Sequence, residues 1–102
     1  MKKLFVSQPM RGKTDEEIIK EREAIIKKAE AVIGEELEVI DSFFEGAPAD
    51  ASPLWFLGKS IELLSKADVA VFGKGWEDAR GCRIENECCI EYGITFVNIY
   101  SD

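Results

Sequence analysis

Four short, largely apolar runs, spaced by longer segments of helical character, constrain this chain more than anything else in it. The runs are Leu4 to Ser7, Leu37 to Ile40, Ala67 to Phe72 and Thr95 to Tyr100. Each has the length of a buried strand and is too short for a buried helix. Between the first two, Thr14 with Glu17 three residues on forms a capping-box pattern. Ile18, Ile19, Ala24, Ile25, Ala29, Val32 and Ile33 then predict one apolar helical face, which Gly34 closes. Pro53 suits the first turn of a second helix through Leu54, Leu57, Ile61 and Leu64. A third helix is expected from about Arg80 to Tyr92, ended by Gly93. The intervening loops run from Asp41 to Pro53 and from Gly73 to Ala79.

Strands alternating with helices predict an α/β fold: a small Rossmann-like or flavodoxin-like three-layer sandwich around a four-stranded parallel sheet. Runs that are apolar throughout agree with burial on both faces, and the crossovers should be right-handed. Strand order 2-1-3-4 is expected. It puts a topological switch point between the first and third strands, where ligands collect beyond the strand carboxyl ends. With 102 residues and no internal repeat or linker, residues 1–102 read as a single domain.

Composition narrows the function. A net charge of −7 argues against a nucleic-acid polymer or a membrane surface as partner, since either would call for a basic face. No segment approaches the roughly 20 apolar residues that span a bilayer. Met1 to Val6 reads as a first strand and not as a leader. Histidine is absent, which rules out Ser-His-Asp and Cys-His catalysis and leaves the common zinc patterns incomplete. No metal or organic cofactor is expected. Cys82, Cys88 and Cys89 are odd in number and two are adjacent, so they read as reduced thiols of a cytoplasmic protein. A core this small favours self-association as a dimer or larger.

Two segments flank the expected crevice. The first, Ser7-Gln8-Pro9-Met10-Arg11-Gly12-Lys13-Thr14, leaves a strand and enters a helix N-terminus. Free N–H groups, Arg11, Lys13 and the neutral donors Ser7, Gln8 and Thr14 suit it to an anion; equally, it is an ordinary strand-to-helix turn. Neither the dinucleotide nor the P-loop glycine fingerprint is present. The second runs from Gly73 to Glu85. Trp76 there is a stacking surface for a flat ring or a hydrophobic plug. Glu85 falls in the early turns of the third helix, where the macrodipole favours the ionised carboxylate that a nucleophile requires. A Glu at such a position is also common without any chemical role. Cys82, Glu85 and Cys89 share one helical face, as ligand-facing small residues or as core.

Phe5-Val6-Ser7-Gln8-Pro9-Met10-Arg11-Gly12-Lys13, Leu64-Ser65-Lys66-Ala67-Asp68-Val69-Ala70-Val71, Gly81-Cys82-Arg83-Ile84-Glu85 and Glu91-Tyr92-Gly93-Ile94-Thr95-Phe96-Val97 occur in an order and spacing that span nearly the whole chain. Together they resemble the nucleoside 2-deoxyribosyltransferase-like superfamily, which includes the nucleoside 5'-monophosphate N-glycosidases. The resemblance implies a nucleoside or nucleotide as small-molecule substrate. Glu85, matching the family's Gly-x-x-x-Glu, would attack the anomeric carbon. The base would leave with a proton from an acid, and water or another base would resolve the glycosyl-enzyme. Asp78 is the nearest candidate for contact with the leaving base. Ser7, Gln8, Pro9, Met10, Arg11 and Gly12 would hold the sugar end beside Gly81, and Trp76, or Phe43 and Phe44, would cover the base. Ser60 stands where family enzymes carry an Asp. Asn86-Glu87-Cys88 follows Glu85 in place of a small, Gly-containing stretch, and family enzymes continue past the fourth strand. Three readings follow: an N-glycosidic bond enzyme, a non-catalytic nucleotide-binding module, and a structural or interaction protein of the same fold.

Overall fold

The structure, a computed structural model, describes residues 1–42 and 47–100. Four strands, β1 (Lys2–Ser7), β2 (Leu37–Val39), β3 (Val69–Phe72) and β4 (Thr95–Asn98), form one sheet in the order β2-β1-β3-β4, every pair parallel. The helices are α1 (Asp15–Ile33), α2 (Pro53–Leu64) and α3 (Arg80–Tyr92). The fold is therefore α/β with a four-stranded parallel sheet in the expected order, consistent with a small Rossmann-like or flavodoxin-like sandwich. No helix among the described residues is long and apolar enough to cross a membrane.

The two faces of the sheet sort the side chains by period two. Leu4, Val6, Val69 and Val71 pack with Ile25 and Ala29 of α1 on one face. Phe5, Ala70 and Phe72 pack with Leu64 of α2 and Cys89 of α3 on the other. Strands β1 and β3, the central pair, carry the most deeply buried residues, whereas β4 is half-buried at the sheet edge.

α1 begins on a complete capping box between Thr14 and Glu17 and ends on Gly34 in the left-handed conformation (φ +85°). Its apolar face differs from the expected one. Ile18, Ile25 and Ala29 are buried, but Ile19 and Val32 are 47% and 64% exposed, and Ala24 is exposed too. Residues seven and eleven apart fall on one stripe, and positions 19, 24 and 32 are rotated away from it. Arg22 occupies the stripe instead, where its Nη2 donates to the Ile40 carbonyl at 3.0 Å.

Strand β3 starts two residues later than expected. Asp68 turns back to accept a hydrogen bond from the Lys3 amide at 2.7 Å, fixing the start of the β1–β3 pairing. The loop after β3 contains a 3-10 turn, Trp76–Asp78. It leaves β3 through Gly73, whose missing side chain matters: a Cβ there would stand 2.9 Å from Ile25 Cδ1 and 3.3 Å from Gln8 Cβ.

Candidate active site

Ser7 closes β1 on the same face as Phe5 and so points toward the α2–α3 layer. Its Oγ donates to Glu85 Oε1 at 2.7 Å, across 78 residues of sequence. Glu85 lies on the inward face of α3 with Cys82, Asn86 and Cys89. Ser60 on α2 stands near the same carboxyl and lines the cleft with it. One carboxyl thus sits at the junction of β1, α2 and α3, with Ser7 2% and Glu85 7% exposed.

Above this junction opens a cleft of about 750 Å³. Its walls come from the end of β1 (Phe5 to Met10), the start of α2 (Ser52, Pro53, Leu54, Phe56, Leu57, Ser60) and the start of α3 (Ala79 to Cys82, Ile84, Glu85). Strands β1 and β3 are neighbours whose following helices leave to opposite faces, so the cleft lies at the topological switch point.

The electrostatics correct one expectation. Glu85 is not held ionised: its pKa is pushed up from 4.5 to about 7, chiefly because burial penalises the charged form. The hydrogen bond from Ser7 and the nearby Ser60 hydroxyl pull the other way and only partly offset it. Glu85 is the sixth residue of α3, past the first turn in which the helix dipole acts. Burial likewise pushes the Cys82 and Cys89 thiols up to about 11, so neither is a thiolate at neutral pH. Among the described residues, no group of three or more Cys, Asp or Glu is placed to hold a metal.

Of the residues singled out in the sequence, Ser7, Gln8, Pro9, Met10, Gly81 and Glu85 line the cleft together, while Arg11, Gly12, Trp76 and Asp78 do not. Arg11 is exposed, and Gly12 makes the turn before α1 at φ +79°. Asp78 is exposed in the 3-10 turn. Trp76 packs tilted on Phe72, ring centres 5.3 Å apart, as a plug over the core. Phe43 and Phe44 lie outside the described residues.

The first loop is less available to a ligand than its composition suggests. Gln8 Nε2 donates to the Ile18 carbonyl at 3.1 Å, Lys13 pairs with Glu21 at 2.8 Å, and Thr14 is held in the capping box. Three acids, Asp15, Glu16 and Glu17, fill the first turn of α1. The start of α3 is the reverse: Ala79 offers no side-chain cap, Arg80 follows, and no acid stands in the first turn.

Sequence reasoning noticed Ser60 only for the carboxylate it replaces. Helical spacing puts Ser60 on one face of α2 with Leu57, Ile61 and Leu64, but no local pattern shows that this face meets Glu85 of α3. The aromatic and aliphatic wall of Phe56, Leu57 and Ile84 had no comparable signal. Comparison with family models, with curated proteins and with solved structures gave no match for this chain.

Proposed function

We propose that this chain cleaves or transfers an N-glycosidic bond of a nucleoside or nucleoside 5'-monophosphate, with Glu85 as the nucleophile. The observation that carries the reading is the Ser7–Glu85 pair: a buried carboxyl hydrogen-bonded at the floor of an open cleft, at the strand ends where this fold gathers its ligands. A carboxyl with a pKa near neutrality supplies a useful fraction of the ionised form at pH 7. The oxocarbenium character that develops at the anomeric carbon favours that ionised form further, so attack is strongest where the positive charge appears. Ser7 fixes the carboxyl through one of its oxygens, Oε1, which supports a set orientation of the nucleophile. The resemblance of the Ser7 to Gly12 and Gly81 to Glu85 segments to the nucleoside 2-deoxyribosyltransferase-like superfamily supports the same assignment. In this reading the sugar lies over Glu85, and Phe56, Leu57 and Ile84, which line the cleft, offer an apolar wall for the base.

A nucleotide-binding module without turnover is the second reading. The placement of Asp78 outside the cleft and Ser60 in place of an acid favour it. Incubation with nucleosides and 5'-monophosphates, with and without an acceptor base, separates the two when free base is followed by chromatography. Release that disappears in Glu85→Ala supports the enzyme. Tight binding with no release from any substrate supports the module.

A further inference from the structure

Glu85 is the only carboxylic acid among the described residues that line the cleft. The other ionisable groups there are Cys82 and Arg80, and neither delivers a proton at neutral pH: a guanidinium does not deprotonate, and the buried thiol holds its proton to about pH 11. Ser60, near Glu85, offers only a neutral hydroxyl. A neutral purine or pyrimidine departs poorly unless it is protonated as the bond breaks, and among the described residues lining the cleft that proton has no donor distinct from the nucleophile.

Among the described residues Glu85 also forms no ion pair, and its hydrogen-bond partner is the Ser7 hydroxyl. A buried carboxylate without a cation is costly, and the missing charge is what a ligand can bring. Apart from Arg80, the wall near the mouth offers a flat, delocalised cation the aromatic ring of Phe56 and the polarisable thioether of Met10, both partly exposed. The chain's net charge of −7 draws the same sign of ligand.

We propose that the cleft takes N-glycosides whose base already carries a positive charge, such as N-alkylated purinium or pyridinium ribosides, with the ring cation as the counter-ion of Glu85. The inference rests on the N-glycosidic reading above. In the first step a Glu85 carboxylate oxygen bonds to the anomeric carbon as the C–N bond breaks. The electron pair of that bond passes to the ring nitrogen, and the base departs neutral with no proton transfer. Water then bonds to the same carbon, the ester C–O bond breaks, Glu85 is restored as carboxylate, and one proton is released to solvent.

The test compares 7-methylguanosine with guanosine, each also as the 5'-monophosphate, using wild-type protein and Glu85→Gln, with release in buffer alone subtracted. General-acid assistance is worth roughly 10² to 10⁴ in rate, so without it the cationic substrate should turn over at least about 100-fold faster than its neutral partner. That activity should vanish in Glu85→Gln. Comparable turnover of guanosine and 7-methylguanosine would overturn the inference and leave the N-glycosidic reading standing, because it requires a proton donor. Release that survives in Glu85→Gln would overturn the role of Glu85 in both. No release from any of the four, with release from another neutral nucleoside of the panel above, would overturn the inference alone; no release from these four or from any of that panel would overturn the N-glycosidic reading as well.

Discussion

The loops after β1 and β3 lie side by side at the carboxyl edge of the sheet, both lead into helices, and both are rich in polar residues. They differ in where the hydrogen bonds go. The β1 loop satisfies most of its own donors: the capping box closes the start of α1, Lys13 pairs with Glu21, and Gln8 Nε2 bonds the Ile18 carbonyl, while Gln8 Oε1 is buried without a partner. Its one inward donor, Ser7, is aimed at the other segment. The β3 loop leaves the start of α3 without a side-chain cap, and residues 79–82 open directly onto the cleft. Polar composition alone does not distinguish a ligand site from a well-capped helix. The inventory of partners does, because a donor already bonded within the chain gains nothing net by changing partner.

The largest test of that contrast is Glu85→Gln. An acid whose folded pKa stands above its unfolded value binds its proton more tightly when folded. The stabilisation from that proton is present at low pH and is lost as pH rises from about 4.5 to about 7. A shift of this size corresponds to about 3 kcal/mol. The stability of Glu85→Gln relative to wild type should therefore grow by about that amount between pH 4 and pH 8 in urea titrations. A difference that does not change with pH would mean that Glu85 is not a buried, uncompensated carboxyl.

The two helix starts predict opposite responses. Thr14→Ala removes a complete cap and should lower stability by about 1 kcal/mol, leaving ligand binding in the cleft unchanged. Ala79→Ser adds a cap that α3 lacks, at a backbone already extended (φ −100°, ψ 118°), and should raise stability by about 0.5–1 kcal/mol. Thermal melts of both variants check this; a stabilising Thr14→Ala or a destabilising Ala79→Ser would erase the contrast.

Gly81→Ala gives the smallest effect on folding. An added Cβ would meet only Leu57 Cδ1 at 4.0 Å, an ordinary contact, and Ala is the better helix former by up to about 1 kcal/mol. Stability should hold or rise slightly. Weaker ligand binding in that same variant, read by titration, would show that the glycine serves the approach of a ligand and not the packing of the helix.

Most of the fold was legible because its signals are local. The capping box at Thr14, Pro53 at the first turn of α2, and Gly34 and Gly93 past the ends of α1 and α3 are read from neighbours in sequence. The parallel sheet followed from the alternation of elements, whereas the order 2-1-3-4 that the structure shows is one of several that such alternation permits. The parts of the site that were misjudged depend on distant contacts. No local pattern shows that Glu85 loses its water to burial against β1 and α2, and none decides between the two readings of Trp76, of which the plug on Phe72 is the one observed. The pairing of Ser7 with Glu85 is the same kind of fact: each residue was visible as a candidate, but their bond exists only once β1 and α3 pack on one face of the sheet.

The central claim is that Glu85 forms the bond to the sugar. A 2-deoxy-2-fluoro nucleoside slows both the formation and the breakdown of a glycosyl ester, so the ester accumulates. Mass spectrometry of the intact chain, followed by peptide mapping, reads it directly. The account predicts a mass gain of one fluorosugar on the peptide carrying Glu85, absent in Glu85→Gln. An adduct on any other residue, or turnover of the parent nucleoside with no adduct at all, would contradict it.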